Sequence, residues 1–134
     1  MFTHKTKLRV RYAETDQMGY VYYGNYATYF EVARVEAMKS LGISYKELEE
    51  AGVMMPVLHY ATKFYKPALY DDELIIKTII NDLPAVRIHF SFEVYNAAGQ
   101  QLNDAEATLV FVNTATKKPC QAPQNLLNQL KKYF

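Results

Sequence analysis

A change in hydrophobic period along the chain constrains the fold more than any other feature. Apolar residues first recur at spacings of four, three, four and four, which is the period of one helix face. They are Tyr26, Phe30, Ala33, Ala37 and Leu41. From Met55 onward the period becomes two, as in strands that bury one face. The chain is therefore expected to set one long helix beside a sheet.

The sequence also marks the end of this helix and the start of a second one. Gly42 comes after the last apolar position and suits the left-handed conformation that ends many helices. About 18 residues at roughly 1.5 Å each give a helix about 27 Å long, enough to cross a small sheet. Ser44 and Glu47 form a capping-box pattern, which predicts a short second helix. A terminal helix is expected over residues 125–134.

Five segments alternate in the manner of strands. They cover residues 6–12, 56–65, 72–81, 86–96 and 101–113. In the first segment Leu8, Val10 and Tyr12 are expected to share the buried side. Asn96 to Gly99 forms a turn between the last two segments, which predicts an antiparallel hairpin. The predicted fold class is α+β in a single domain over residues 1–134, with an antiparallel sheet of about five strands beside one long helix.

Composition narrows the classes of function. A net charge of +1 over 134 residues gives no field to attract nucleic acid or an anionic membrane. Cys120 is the only cysteine, so no disulfide can form within the chain, and three scattered histidines offer no metal-ligand spacing. The N-terminal residues lack a signal-peptide pattern, and no apolar run approaches the roughly 20 residues of a membrane span. These features predict a cytoplasmic protein without a membrane or nucleic-acid partner.

A lone carboxylate, Asp16, lies in a loop containing Gly19 that runs directly into the long helix. The first amides of a helix have no acceptor within the helix and carry the positive end of its dipole. A carboxylate beside such amides is able to attack, or to activate water against, a carbonyl whose oxyanion they hold. The alternative is that Asp16 only stabilises a turn. Glu14, two residues earlier, is interpreted as a solvated or ion-paired loop residue.

Motifs on both sides of this loop resemble one family. Those before and within the helix are Thr15-Asp16, Gly19, Val21-Tyr22, Asn25-Tyr26 and Phe30-Glu31-x-x-Arg34. Those further along are Phe64-Tyr-Lys-Pro67 and Asp71-Asp72-Glu73-Leu74. Together they resemble the 4-hydroxybenzoyl-CoA thioesterase-like branch of the acyl-CoA thioesterases, over nearly the whole chain. The resemblance implies the hotdog fold, in which the sheet wraps around the central helix.

The resemblance also implies roles for individual residues. Asp16 is the catalytic carboxylate, acting either as general base or as nucleophile through a mixed anhydride. The oxyanion donor is the backbone amide near Tyr23, a position at which many relatives have histidine. Gly24 lets the thioester approach the backbone closely because it has no side chain. The residues expected to contact the substrate are Gly24, Asn25 and Tyr22. Two further candidates come from residue type and not from the resemblance: Lys66, as a cation for the phosphates of coenzyme A, and His59, for which a structural role is the alternative.

The implied function is hydrolysis of an acyl-CoA thioester to a carboxylic acid and coenzyme A. No metal or cofactor is expected, since coenzyme A is part of the substrate. The resemblance implies a homodimer or homotetramer with each active site at a subunit interface, which agrees with the need to pair exposed strand edges. The alternatives are a non-catalytic acyl-CoA-binding or regulatory module, a hotdog hydratase or dehydratase, and a thioesterase for carrier-protein thioesters.

Overall fold

One antiparallel sheet and one long helix dominate the structure, a computed structural model that describes all 134 residues. The strands are β1 (Phe2–Arg9), β2 (Val53–Met54), β3 (Val57–Phe64), β4 (Glu73–Ile80), β5 (Arg87–Asn96), β6 (Gln101–Val110) and β7 (Val112–Asn113). The helices are α1 (Tyr26–Ser40), α2 (Tyr45–Glu50) and α3 (Gln124–Leu130). Short 3-10 turns occupy Tyr12–Glu14, Tyr23–Asn25 and Lys131–Tyr133. The five-stranded sheet has the order β1-β4-β5-β6-β3, and β2 pairs separately with β7.

The helix α1 packs along one face of the five-stranded sheet. Alternate residues of β4 and β5 are buried on that face, and the Phe30 ring stacks on Phe92 with 4.7 Å between ring centroids. Phe30 is only 1% exposed, so its truncation to alanine would cost about 3 to 5 kcal/mol. The opposite face carries exposed polar side chains such as His89 and Glu106. The predicted α+β class, an antiparallel sheet around a central helix, is confirmed.

The C-terminal end of α1 confirms the role predicted for Gly42. This residue has a φ of +77°, and its amide donates to the Lys39 carbonyl while the Ile43 amide donates to the Met38 carbonyl, both at 2.9 Å. This pair of bonds satisfies carbonyls that the helix end leaves free. Next along the chain, the Ser44 hydroxyl accepts from the Glu47 amide at 3.4 Å, as predicted at the start of α2. No membrane-crossing helix is present, because none is long and apolar enough.

The first strand was predicted over residues 6–12, and that prediction is wrong at both ends. β1 runs from Phe2 to Arg9 and pairs with β4 along its whole length. Val10 still exchanges backbone hydrogen bonds with Asp71 and Asp72. The next amide, that of Arg11, donates to the Glu14 carboxylate at 2.9 Å, so the pairing does not extend to Tyr12. Tyr12 therefore leaves the core. It is 78% exposed, and its ring packs on Tyr70 at 5.6 Å.

Two later segments also differ from their predicted bounds. The segment 101–113 divides, since β6 ends at Val110 and the next residues leave the main sheet to pair with β2. The terminal helix spans Gln124–Leu130 and tightens into a 3-10 turn. The hairpin turn is confirmed: the Gly99 amide donates to the Asn96 carbonyl at 3.0 Å, and Gly99 has a φ of +80°.

Candidate active site

The loop before α1 folds back on itself and fixes Asp16 at its start. Thr15 and Val21 form an antiparallel bridge. Between them the Asp16 amide donates to the Tyr20 carbonyl at 2.8 Å, and the Gly19 amide donates to the Asp16 carbonyl at 3.0 Å. Gly19 has a φ of +80°, a conformation that costs glycine little and other residues more. A tight turn at the tip of this loop therefore holds the Asp16 backbone in place.

The two carboxylate oxygens of Asp16 have different surroundings. Oδ1 accepts hydrogen bonds from the Met18 amide at 2.9 Å and from the Tyr20 amide at 3.4 Å. Oδ2 has no hydrogen-bond partner and no ion-pair partner in the protein. The turn role considered from the sequence is thus real, but it uses one oxygen only. The other oxygen is available to a ligand or to water.

The start of the helix supplies unpaired backbone amides. A 3-10 turn over Tyr23–Asn25 leads directly into α1. Within it the Asn25 amide donates to the Tyr22 carbonyl, whereas the amides of Tyr23 and Gly24 donate to no group of the protein. Unpaired amides at a helix start are suited to hold an anion or a developing oxyanion.

A cavity of about 300 Å³ brings these features together. Asp16 and Lys66 are the only charged residues in its wall. Its apolar and aromatic surface comes from Met18, Tyr20, Tyr23, Tyr26, Phe64 and Tyr65. An apolar cleft with few polar groups is the usual form of a small-molecule site. Two other cavities, of about 380 and 520 Å³, are lined by Lys63 and by Tyr70 respectively, and Asp16 lines neither of them.

Glu14 points away from this cavity, as the interpretation of it as an ion-paired residue predicts. Its carboxylate accepts from the Arg11 guanidinium at 2.6 Å and from the Tyr29 hydroxyl at 2.9 Å. Burial alone would raise the pKa of the Glu14 carboxyl, but the hydrogen bonds from Arg11 and Tyr29 outweigh it, so the pKa lies below its ordinary value. Glu14 therefore anchors the loop to α1 and leaves Asp16 as the lone carboxylate of the cavity.

Of the predicted site residues, Asp16, Tyr23 and Lys66 line one cavity. Gly24 follows Tyr23 directly in the chain and so lies beside the cavity. Its lack of a side chain has a packing role that the sequence did not indicate. A Cβ atom at Gly24 would lie 2.7 Å from the ring of Tyr22, and the Tyr22 ring packs on that of Tyr23 with 4.8 Å between centroids. Tyr22 itself does not line the cavity. The missing side chain at Gly24 thus gives room to Tyr22.

Asn25 and His59 lie outside the cavity. The Asn25 side-chain amide donates to the Glu14 carbonyl at 2.9 Å and so ties the helix start to the loop. His59 is on the face of β3 that points away from α1, where its Nε2 lies 3.2 Å from a carboxylate oxygen of Glu106. No group of three or more histidine, cysteine or acidic side chains is arranged to hold a metal ion.

Sequence reasoning missed several residues of the wall. Phe64 and Tyr65 line the cavity beside Lys66, although only Lys66 was assigned a role within the motif that carried the resemblance. Asn103, to which the sequence also assigned no role, lies behind this wall and is fully buried on β6 next to Phe64. Its position in an alternating strand gave no signal, because the pattern shows which face a residue takes and not what it meets there.

Comparison with known proteins places the chain in a family. Residues 10–130 match the family model of the thioesterase-like superfamily. YneP of Bacillus subtilis is 36% identical over 121 residues, which cover 90% of this chain and 88% of YneP. The acyl-CoA thioester hydrolase YbgC of Escherichia coli is 32% identical over 124 residues, 92% of each chain. The protein belongs to the thioesterase-like superfamily.

Solved structures agree with this assignment. The DHNA-CoA thioesterase of Staphylococcus aureus superposes with a TM-score of 0.87 at 33% identity, over 100% of this chain and 85% of that one. A 1,4-dihydroxy-2-naphthoyl-CoA thioesterase from Synechocystis has the same fold, with a TM-score of 0.90 at 23% identity. The prediction of a hotdog-fold enzyme of the thioester hydrolase class is thereby confirmed.

Proposed function

We propose that this protein hydrolyses acyl-CoA thioesters, with Asp16 as its catalytic carboxylate. The observation that carries the proposal is the unpaired Oδ2 of Asp16 in the wall of an apolar cavity that also contains Tyr23. Tyr23 begins the turn whose amides are free. A base and an oxyanion site on one cavity are the minimum apparatus for attack on an activated acyl group.

In the proposed reaction Asp16 acts as general base. Its Oδ2 takes a proton from water as the water oxygen bonds to the thioester carbon. The amides of Tyr23 and Gly24 hold the oxyanion that forms on the carbonyl oxygen. Collapse of the tetrahedral intermediate breaks the carbon–sulfur bond, and coenzyme A leaves as a thiolate that is then protonated. The product is the free carboxylic acid.

The other role for Asp16 is that of a nucleophile. Its Oδ2 would then bond to the acyl carbon, and water would hydrolyse the resulting mixed anhydride. We favour the general base because water attack avoids a second high-energy intermediate. A single turnover in ¹⁸O-labelled water, followed by mass spectrometry of the peptide containing Asp16, distinguishes the two, since only the anhydride route can place label in the protein when water attacks the aspartyl carbonyl.

The cavity suits the acyl part of the substrate. Its aromatic wall, which includes Tyr20, Tyr26 and Phe64, favours an apolar or aromatic acyl group. Lys66 is a cation at the rim for the polar part of coenzyme A. The acyl group of the Staphylococcus aureus relative is named as DHNA, which makes aromatic acyl-CoA thioesters a suitable first choice. A carrier-protein thioester would present the same reacting atoms.

We also propose a homodimer or homotetramer. β3 is an edge strand, and its apolar side chains are open to solvent: Leu58 is 54% and Phe64 48% exposed. On the neighbouring face of α1, Glu31 and Arg34 form no ion pair, and the Nε of Arg34 is buried without a hydrogen-bond partner. A second copy paired along β3 would cover this surface, and opposite charges on α1 would meet across a two-fold axis. Because Phe64 also lines the cavity, the partner would then adjoin the active site.

The competing functions lack support from the cavity. A hydratase or dehydratase generally needs an acid and a base placed for proton transfer, and no histidine lines this cavity. A binding module has no need of an unpaired carboxylate oxygen beside the thioester. The cytoplasmic location stays a prediction of the sequence.

The test is release of free thiol from a panel of short, long and aromatic acyl-CoA thioesters. Turnover of at least one of them, saturable and proportional to protein, is expected. Tight binding of acyl-CoA by calorimetry without any thiol release would contradict hydrolysis and would support the binding module.

A further inference from the structure

Asn103 is a polar residue buried without partners. It lies on β6 between Phe64 of β3 and Val94 of β5, on the face covered by α1, and it is 0% exposed. Neither its Nδ2 nor its Oδ1 makes a hydrogen bond in the protein. Buried polar groups without partners destabilise a fold and are uncommon, so each one calls for an explanation.

This amide lies directly behind the wall of the candidate active site. Its neighbour Leu102 accepts hydrogen bonds from the amides of Tyr65 and Lys66, at 2.8 and 2.9 Å, and both of those residues line the cavity. Phe64, which pairs with Asn103, lines it as well. The strip of chain that forms one side of the cavity is thus bonded to the segment that carries Asn103.

Tyr26 joins Asn103 to the cavity. This residue lines the cavity, and its ring packs on that of Phe64 with 5.4 Å between centroids. Burial raises the pKa of the Tyr26 phenol to about 12, while contacts with the Ala68 backbone and the Asn103 amide act in the opposite direction. Tyr26 and Asn103 thus share Phe64 as a neighbour, since Phe64 pairs with Asn103 and packs on the Tyr26 ring, and the phenol oxygen is near enough to the Asn103 amide for that amide to lower its pKa.

We propose that Asn103 is a positioning residue, and that with the Tyr26 hydroxyl it selects acyl groups bearing a hydrogen-bonding atom beyond the thioester carbonyl. This rests on the proposed thioesterase function. Asn103 makes no hydrogen bond within the protein alone; with a substrate bound, its Nδ2 donates to the Tyr26 oxygen, and the hydroxyl proton of Tyr26 is thereby directed into the cavity. A polar acyl group accepts it there. A wholly apolar acyl group leaves this polar pair without a ligand partner, and sites built to hydrogen-bond a substrate discriminate against analogues that lack the group.

The test compares benzoyl-CoA with its three monohydroxy isomers, which differ from it by one polar group. The best isomer is expected to have a kcat/KM about fivefold to tenfold above that of benzoyl-CoA, the ratio that one neutral hydrogen bond gives. Tyr26→Phe and Asn103→Leu are each expected to bring this ratio close to one. Leucine branches at the same carbon as asparagine and has no polar atom.

Thr78→Val is the matched control. Thr78 is also 0% exposed with an unpaired side-chain oxygen, but it lies on β4, which contributes nothing to the cavity. For Thr78→Val, the ratio of kcat/KM between the best hydroxylated isomer and benzoyl-CoA is expected to equal that of the wild type. Thermal unfolding gives a second readout: Asn103→Leu should unfold at the same temperature as the wild type or higher, since it removes two unpaired polar atoms.

Titration of the same thioesters onto Asp16→Asn separates this inference from the proposed function. A preference for a hydroxylated isomer that Tyr26→Phe abolishes supports the inference, even if the wild type hydrolyses none of these four thioesters and none of the wider panel, a combined result that would contradict only the proposed function. Hydrolysis with equal kcat/KM for all four thioesters overturns the inference and leaves the function standing. A preference for a hydroxylated isomer that survives in Tyr26→Phe also overturns the inference. Tyr26→Phe is the deciding variant if Asn103→Leu does not fold. In either case a buried water, not the substrate, partners Asn103.

Discussion

At Asp16 one side chain combines a structural contact through Oδ1 with a second oxygen, Oδ2, that has no partner in the protein. Oδ1 holds the turn through the amides of Met18 and Tyr20, so the orientation of Oδ2 is fixed before a substrate arrives. Preorganisation of this kind lowers the cost of reaching the reactive geometry. In the proposed mechanism, a turn aspartate, which is a common feature, acts as a base because its second oxygen borders an apolar cavity.

The hydrogen-bonded carboxylate of Glu14 leads to a prediction about how the free energy of unfolding depends on pH. Since the pKa of its carboxyl is lowered in the folded protein, its contribution to stability is present above the ordinary value of 4.5 and is lost as pH falls through the folded value. Glu14→Gln is therefore expected to lower the free energy of unfolding by about 1 to 2 kcal/mol at pH 7. Urea titrations across the pH range should show this difference shrinking below pH 4.5.

The control for that series is Glu50→Gln, which changes an exposed glutamate without an ion pair on α2. Its effect on stability should be small at every pH. A Glu14→Gln difference that is as large in acid as at neutral pH would contradict the ion-paired role of Glu14.

Gly24 makes a second prediction at this scale. In Gly24→Ala the new methyl group would meet the Tyr22 ring at 2.7 Å, so the ring must move off Tyr23 beside the unpaired amides. A disturbance of about 1.4 kcal/mol at the transition state lowers kcat tenfold, and a loss of that size is expected. Adding Tyr22→Ala to Gly24→Ala should recover part of the activity. Losses that simply add in the double variant would show that Tyr22 and Gly24 act independently.

At the scale of helices and strands, periodicity predicts most of the fold. The apolar face from Tyr26 to Leu41 indicated α1 correctly, although the helix proper has 15 residues because its first turn is a 3-10 turn. Alternation located β3 to β6 within a few residues. Period and spacing record which face a residue takes, and this information is enough to assemble a sheet on a helix.

What periodicity missed depends on contacts between segments. Just beyond β1 the Arg11 amide donates to Glu14 and the chain leaves the sheet, and an alternating pattern that continued to Tyr12 gave no sign of this. In the candidate site, Asp16 and Tyr23 were predicted to lie together because they are close in sequence, and they line one cavity. The remote residues Phe64, in the wall of the cavity, and Asn103, behind that wall, are brought there only through strand pairing, which the sequence does not encode locally.

The end of α1 gives a prediction for this scale. Gly42 has a φ of +77°, and no atom lies within 4 Å of where a Cβ would be. Gly42→Ala should therefore cost only the left-handed backbone strain, about 1 to 2 kcal/mol, which lowers the midpoint of thermal unfolding by about 4 to 8 °C. Gly42→Asn should lose less, since asparagine tolerates this conformation better. An alanine variant as stable as the wild type would contradict the assigned role of the glycine.

At the scale of the whole molecule, the main feature is the edge strand β3, whose apolar side chains a single chain leaves exposed to solvent. Leu58 on that edge is 54% exposed, and Leu83, in the turn before β5, is 40% exposed. Leu58→Glu is expected to shift the protein to a monomer in light scattering and to reduce thiol release, because in the proposed assembly the partner adjoins the cavity. Leu83→Glu, a matched change away from β3, should keep both the assembly and the activity. A wild type that is monomeric and fully active would contradict the proposed assembly.

The most direct measurement is thiol release by Asp16→Asn beside the wild type, on the best thioester of the panel and at equal, verified folding. Asparagine keeps an oxygen for the amides of Met18 and Tyr20, so the turn survives and only the basic oxygen is lost. Removal of a general base is expected to lower kcat by about a hundredfold or more. Turnover by Asp16→Asn equal to that of the wild type would show that the chemistry does not depend on Asp16.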